Sequence, residues 1–332
     1  MTERDLLWLK RTLELARRAI PTLVEPNPPV GAVIARGEHL LGEGYHQRFG
    51  GAHAEIEALR AVKDPNLLPA ATLYVSLEPC CHVGKKTPPC VPEIISAGIR
   101  RVVVGCADPN PAVNGQGIQA LRAAGIEVLM APDPKPFLAL LRHFRTNILF
   151  QRPYITLKWA QTSVTGTLGE RGYIGSRRQG RWAISGFWGR VWGHRLRTHH
   201  SHIAVGYRTW RIDSPALTAR YFPGESPKSI IFYDPRRGIP AEADERFVPL
   251  EQPLLLTFQK LYVQHKVGSI LVEGGAALLN QLLAADLYDE VHVLMRIGAA
   301  TPPEPVEAPL MPALRWRRLR LAPDEVVWIG RH

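Results

Sequence analysis

Leu6, Leu9, Leu13, Ala16 and Ile20 recur at three- and four-residue steps, which predicts an amphipathic helix over residues 5–20. Thr2, three residues before Asp5, is placed to cap it. After the turn-rich Glu25-Pro26-Asn27-Pro28-Pro29, the runs Val30 to Ala35 and His39 to Glu43 flank Arg36-Gly37-Glu38 as a hairpin. A helix is expected from His53 to Arg60, strands over 72–77, 101–106 and 126–130, and helices over 92–97 and 116–124. Strands alternating with helices predict a layered α/β domain.

Three prolines in Ala131-Pro132-Asp133-Pro134-Lys135-Pro136 interrupt this pattern, and a helical stretch from Phe137 to Phe150 runs into Arg152-Pro153. The boundary is therefore expected near residue 150, giving a first domain over 1–150 and a second over 151–332. Strands at Tyr154 to Ala160, His202 to Gly206, Ser229 to Tyr233, Ser269 to Glu273 and Val291 to Ile297, interspersed with helices, make the second half α/β as well.

Composition adds little to this picture: 332 residues with 45% hydrophobic and 21% charged positions suit two ordinary cores. The start Thr2, Glu3, Arg4, Asp5 is no export signal, and no run approaches the ~18 apolar residues of a membrane span. The expectation is a cytoplasmic protein without a membrane partner. Three of the four cysteines crowd into Cys80, Cys81 and Cys90, which is metal-ligand usage rather than a disulfide framework. The formal charge of +11 is scattered, with Arg315-Trp316-Arg317-Arg318-Leu319-Arg320 its densest cluster. It reads as solvated surface and phosphate-handling side chains, not as a nucleic-acid footprint.

The chemistry concentrates in His53-Ala54-Glu55, Glu78-Pro79-Cys80 and Thr87-Pro88-Pro89-Cys90. One imidazole and two thiolates, His53, Cys80 and Cys90, supply three zinc ligands and leave a fourth tetrahedral position for water. Glu55, not itself a ligand, is then the acid–base group that takes and returns that water's proton, the pattern of zinc-dependent base deaminases. A fourth protein ligand from Cys81 or His82 would close the sphere and leave a zinc-stabilised binding protein. A deaminase acting on nucleic-acid bases is the other competing reading, although such enzymes typically show Pro-Cys-x-x-Cys.

Pro26-Asn27-Pro28-Pro29-Val30-Gly31-Ala32-Val33-Ile34, Gly42-Glu43-Gly44-Tyr45-His46, His53-Ala54-Glu55, Ser76-Leu77-Glu78-Pro79-Cys80-Cys81-His82, Thr87-Pro88-Pro89-Cys90 and Asp108-Pro109-Asn110-Pro111 together resemble the bifunctional riboflavin-biosynthesis deaminase/reductase (RibD) family over most of residues 1–150. The resemblance implies a three-layer, cytidine-deaminase-like domain and hydrolytic deamination of a diaminopyrimidinone carrying a ribosylamino 5-phosphate. By it, Asn27 and His46 line the pyrimidine pocket, His82 contacts substrate, and Lys85 or Lys86 faces the phosphate. Two residues, Lys85 and Lys86, stand here between Gly84 and the Thr-Pro-Pro-Cys, where the family usually has one.

Ile155-Thr156-Leu157-Lys158-Trp159-Ala160, Leu196-Arg197, Val205-Gly206-Tyr207-Arg208-Thr209, Asp213-Ser214-Pro215-Ala216-Leu217-Thr218-Ala219-Arg220 and Val272-Glu273-Gly274-Gly275 are similar to successive motifs of that family's reductase domain. This implies a dihydrofolate-reductase-like fold that uses NADPH to reduce the ribosyl group to a ribityl chain, and a homodimer through that domain. Lys158, Arg197, Leu217, Arg220 and Glu273 would meet the phosphorylated substrate. Ala160, Trp182, Thr209, Asp213 and Gly275 would line the NADPH site. The residues themselves add that Gly274 and Gly275, at a strand end before a helix over 276–284, offer unobstructed amides to a phosphate.

Two stretches depart from the family pattern. Ser163-Val164-Thr165-Gly166 stands where Ser-x-Asp-Gly is usual, so an acid is missing, and Thr198-His199-His200-Ser201-His202 replaces a usually charged stretch. A deaminase carrying a degenerate reductase is the alternative these changes raise. The three histidines are expected to be solvated or core side chains rather than a metal site.

Overall fold

Alternate residues of the central strands in the first half point into two separate cores, and this period of two sets its architecture. The computed structural model describes residues 1–81, 88–178 and 182–332. It divides into two units, Met1–Phe150 and Gln151–His332.

In the first unit α1 (Glu3–Ala16) and the short α2 (Pro21–Val24) lead into β1 (Gly31–Arg36) and β2 (His39–Tyr45). Then come α3 (Ala54–Arg60), β3 (Thr72–Val75), α4 (Cys90–Ser96), β4 (Arg101–Val104), α5 (Gln116–Ala123), β5 (Glu127–Met130), α6 (Lys135–Leu140) and α7 (Arg142–Phe150). The sheet order is β2-β1-β3-β4-β5, with β1 antiparallel to both neighbours and β3, β4 and β5 parallel. Ala32, Ile34, Leu73, Val75, Val102 and Val104 face Ala54, Ala58, Ile94 and Leu121 of α3 to α5. Val33, Ala35, Tyr74 and Val103 face Leu9 and Leu13 of α1 and Phe137 of α6 on the other side. The result is three layers.

Thr2 and Asp5 form the expected capping box, with Asp5 N–H donating to Thr2 Oγ1 at 3.2 Å and Thr2 N–H to Asp5 Oδ2 at 2.8 Å. Helix α1 stops at Ala16, short of the apolar spacing that continues to Ile20. Pro21 disfavours helical backbone at Ile20, which is extended and instead precedes α2. The buried Asp5 also accepts two bonds from Arg101 of β4, at 2.8 and 3.0 Å, and one from Tyr74 of β3 at 2.9 Å. One carboxylate thus caps the helix and ties it to two strands.

In the second unit β6 (Tyr154–Ser163) is followed by β7 (Tyr173–Ser176), α8 (Phe187–Thr198), β8 (His202–Gly206), α9 (Tyr207–Asp213), β9 (Lys228–Tyr233), β10 (Phe247–Pro249) and α10 (Leu254–His265). It ends with β11 (Ser269–Val272), α11 (Ala276–Ala284), β12 (Glu290–Ile297), β13 (Pro305–Glu307), β14 (Arg315–Ala322) and β15 (Glu325–Arg331). Eight strands run in the order β10-β9-β8-β11-β6-β12-β15-β14. The first six are mutually parallel, and β15 and β14 add antiparallel. Central strands such as β11 are buried along their whole length, as expected of a sheet covered on both faces. The basic cluster at Arg315 to Arg320 is an edge strand, where outward arginines leave no buried run for pattern reading to find.

Candidate active sites

In the first unit the ends of three elements deliver one group of donors. His53 is the extended residue before α3, Cys80 follows β3, and Cys90 opens α4. The amides of Cys90 and Val91 both donate to the Cys80 carbonyl, at 3.0 and 3.1 Å, so main-chain bonds clasp the ten-residue connection shut. His53 Nδ1 lies 3.2 Å from Cys90 Sγ and 3.4 Å from Cys80 Sγ, and all three donor atoms fall within 4.8 Å of one another.

Zinc bonds of about 2.3 Å to sulfur and 2.0–2.1 Å to nitrogen put tetrahedral donors roughly 3.5–3.8 Å apart, so this group fits one ion. Among the described residues it is the one cluster of three or more His, Cys or carboxylate donors so compact. Cys81 stands outside it, and His82, Lys85 and Lys86 lie outside the described residues.

Electrostatics agree with a cation site. The hydrogen bond from Cys90, and then that from His53, bring the Cys80 thiol down to about 4, whereas Cys90, as the donor to that thiolate, is pushed up. Glu55, in the first turn of α3, is buried and pushed up to about 7, first by burial and then by the Cys80 charge, with His53 opposing. A carboxyl poised near neutrality beside the donor group is equipped to exchange protons.

Asn27 and His46 come together. Asn27 Nδ2 lies 3.1 Å from His46 Nε2, and His46 Nδ1 lies 3.0 Å from the Ala52 carbonyl. The carbonyl only accepts, so Nδ1 carries the proton and Nε2 accepts from Asn27. Burial holds His46 below its ordinary value, which keeps it neutral. Its ring meets that of His53 edge-on at 5.7 Å.

Sequence reasoning gave Glu78 no role. Its Oε1 accepts from the amides of Gly117 (2.9 Å) and Ile118 (3.2 Å), and its Oε2 from those of Asp108 (3.0 Å) and Gly115 (2.9 Å). One carboxylate, two residues before Cys80, therefore gathers the loop that carries Asp108 and Asn110. The signal available was an acid inside the cysteine motif facing a Pro- and Gly-rich loop.

In the second unit Glu273 follows β11 and accepts a bidentate pair from Arg197 of α8, at 3.1 and 2.8 Å, with Lys158 of β6 at 3.7 Å. Burial would raise Glu273, but the charges of Lys158 and Arg197 overcome it and bring the carboxyl down to about 2. Arg197 also donates to the Thr218 carbonyl at 2.7 Å. Leu217 is buried in an apolar cluster with Ile203 and Ile231, and its backbone is left-handed, at φ 54°. Arg220 reaches the group through its amide, which donates to His194 Nδ1 at 2.7 Å.

His194 had no place in the sequence reading, although it precedes Arg197 by three residues on one helix face. Burial, and then Arg197, lower it to about 4, so it stays neutral and keeps its acceptor.

The Gly275 amide donates to Thr209 Oγ1 at 3.0 Å, and a Cβ at Gly275 would stand 2.6 Å from that oxygen. Ala160 is two residues beyond Lys158 on β6 and so shares its face of the strand. Asp213 ends α9 one turn after Thr209, and Trp182 is half-buried ahead of α8. The three histidines are held by protein groups. His200 contacts the Leu196 carbonyl and Thr156 Oγ1, each at 2.7 Å, His199 the Arg195 carbonyl, and His202 Ser201 Oγ.

Residues 2–106 match the cytidine and deoxycytidylate deaminase zinc-binding region, and residues 153–321 match the RibD C-terminal domain. The riboflavin biosynthesis protein RibD of Aquifex aeolicus is 41% identical over 306 residues, which span 90% of this chain and 82% of that one. The RibD protein of Escherichia coli is 33% identical over 336 residues, spanning 87% of each.

Among solved structures, a form of Acinetobacter baumannii RibD superposes with a TM-score of 0.83 at 30% identity, covering 99% of both chains. A diaminohydroxyphosphoribosylaminopyrimidine deaminase/5-amino-6-(5-phosphoribosylamino)uracil reductase from Thermotoga maritima does so with a TM-score of 0.83 at 29% identity, over 99% of this chain and 98% of its own. The expected cytidine-deaminase-like and dihydrofolate-reductase-like folds, and the zinc and NADPH they imply, accord with these matches. The chain belongs to the RibD family, bifunctional enzymes that join a zinc-dependent deaminase to an NADPH-dependent reductase and act on a phosphorylated pyrimidine in riboflavin biosynthesis.

Proposed function

We propose that His53, Cys80 and Cys90 hold the zinc, and that Glu55 moves the protons in hydrolytic deamination of a diaminopyrimidinone bearing a ribosylamino 5-phosphate. The observation that carries this reading is the convergence of the three donor atoms within 4.8 Å beside a buried carboxyl. When bound, zinc supplies Lewis acidity that makes water a nucleophile near neutral pH. Glu55 takes a proton from the attacking water, passes it to a ring nitrogen, and delivers the next to the departing amine, so ammonia leaves neutral. His46, fixed in one tautomer, orients the Asn27 amide toward the pyrimidine, and His82 completes the substrate contacts.

In the second unit Lys158, Arg197 and Arg220 present cations to the sugar phosphate, Glu273 fixes the first two, and Leu217 closes the apolar side. Ala160, Trp182, Thr209, Asp213 and Gly275 would hold NADPH, which when bound would supply the hydride; the protein's part is orientation and charge placement. The reading includes a homodimer through this second unit, measurable by light scattering. It places the enzyme in the cytoplasm and has it act on the free pyrimidine rather than on nucleic acid. Among the described residues no helix is long and apolar enough to cross a membrane.

The deciding experiment is Glu55→Gln, followed by metal analysis and by ammonia release from the phosphorylated diaminopyrimidinone. The variant is expected to retain zinc and lose turnover by about a hundredfold or more, the usual worth of a general base. Turnover at the wild-type rate would remove Glu55 from the role.

A further inference from the structure

Position 165 carries threonine where the family pattern has its acid, yet the turn around it does hold a carboxylate. Glu170 folds back so that its carboxylate accepts from the amide of Val164 through Oε1, and from the amide (3.2 Å) and hydroxyl (3.0 Å) of Thr165 through Oε2. Ser163 Oγ, at the end of β6, donates to the same Oε2 at 2.6 Å and accepts from the Gly166 amide at 2.7 Å. Gly166 has a φ of 75°, the left-handed geometry that lets the chain reverse here.

The main chain of Glu170 is fastened as well. Its carbonyl accepts from Gln161 Nε2 at 3.1 Å, and Gln161 Oε1 accepts from Trp159 Nε1 at 2.8 Å. The following segment then returns along β6, with the Tyr173 amide on Thr162 Oγ1 at 3.0 Å. Trp159 and Gln161 are the chain neighbours of Lys158 and Ala160, so the turn is braced against the stretch of β6 that carries them.

We propose that Glu170 is a positioning residue for the reductase reaction. It supplies from five residues downstream the carboxylate that position 165 lacks, and so fixes the turn 163–170 and the course of the chain returning along β6. This inference rests on the reductase reading of the second unit. Two main-chain amides and two hydroxyls converge at this reversal, and a single carboxylate with charge-assisted bonds accepts from all of them in place of water. The same bonds hold Glu170 at about 2 against the burial that would raise it, so it is ionised throughout the neutral range.

Because Thr165 Oγ1 already touches the carboxylate, an aspartate at 165 reaches the same spot. That gives a test whose sign depends on background. Wild type, Glu170→Ala, Thr165→Asp and the double variant are compared by NADPH oxidation with the deaminated product and by ammonia release in the deaminase assay. Glu170→Ala is expected to lower reductase kcat about tenfold, the worth of one charge-assisted hydrogen bond. The KM for the phosphorylated product should stay within about twofold, since the phosphate-facing cations are untouched, and deamination should not change.

Thr165→Asp alone should lower kcat, because it sets two carboxylates about 3 Å apart. In the Glu170→Ala background the same change should restore kcat to within about threefold of wild type. Glu170→Gln, nearly isosteric, should behave as Glu170→Ala, since its amide turns a donor toward donors. Urea unfolding of each variant, with deaminase turnover as a check, separates a loosened turn from a lost fold. A reductase rate that ignores Glu170→Ala, or a Thr165→Asp change with the same sign in both backgrounds, overturns the proposal. A wild-type chain that oxidises no NADPH overturns the reductase reading and this inference with it, a result recognisable because no variant is then needed.

Discussion

Replacing Glu78 by glutamine changes one atom of a side chain that sits beneath a whole loop. The carboxylate accepts four main-chain amides, two on each oxygen. Glutamine offers one oxygen, and its NH2 group must face the two amides it no longer serves. The amides of Gly117 and Ile118 are buried while those of Asp108 and Gly115 are partly exposed, so the amide should turn its NH2 toward the latter pair, where water can substitute. Two unsatisfied donors at about 1–3 kcal/mol each give a cost of roughly 2–6 kcal/mol, and partial hydration draws the expected value to about 3 kcal/mol. That is a large share of the roughly 5–15 kcal/mol that holds a domain folded.

The assay is urea unfolding at neutral pH, together with hydrogen–deuterium exchange of the peptide spanning 108–118, where amides at Asp108 and Gly115 should open first. Zinc should be retained, because the Cys80 carbonyl clasp on Cys90 and Val91 is a separate set of bonds. A stability change below about 0.5 kcal/mol, within the range of an ordinary surface substitution, would refute the reasoning, and so would unaltered exchange in that peptide.

Cys90→Ser should abolish zinc binding as read by elemental analysis while leaving NADPH oxidation intact, whereas Cys81→Ser should keep stoichiometric zinc; equal losses would contradict a three-donor site. Asp5, held far below the carboxylate range chiefly by the Arg101 hydrogen bonds, should contribute stability that is present above its unfolded value near 4 and lost as pH falls below it. The difference in unfolding free energy between wild type and Asp5→Asn should therefore be about 2 kcal/mol at pH 7, begin to shrink below about pH 4, and still be falling below about pH 2, because the folded carboxyl is held so far under its ordinary value. A difference independent of pH would show that the carboxylate charge is not what ties α1 to β3 and β4.

Most of the fold was legible because its cores are built on simple periods. In β1, β3 and β4 every residue except the terminal Arg36, Thr72 and Arg101 is buried, and the side chains alternate between two cores, so the strands read as apolar runs bounded by turns. What escaped was structure made by outward or long-range groups. Strand β14 is defined by pairing with β15 and carries arginines on a free edge, so neither alternation nor a buried run marks it. The stretch Phe137 to Phe150, helical as expected, is divided at Leu141 into two helices, a break that no proline or glycine announces.

The candidate sites divide along the same line. His53, Glu55, Cys80 and Cys90 were legible because zinc chemistry demands particular donor types at short spacings, and the Cys80–Cys90 loop needs only local main-chain bonds to close. Glu78, His194 and Glu170 were not, since each earns its place through main-chain partners, and an amide is present at nearly every position. Any acid near any loop satisfies such a pattern, so only geometry can single out the one that does. The same holds at position 165, where the usual acid is missing. What the turn requires is a negative oxygen pair beside the amides of Val164 and Thr165, and the chain is free to supply it from Glu170, a residue that no motif at 163–166 contains.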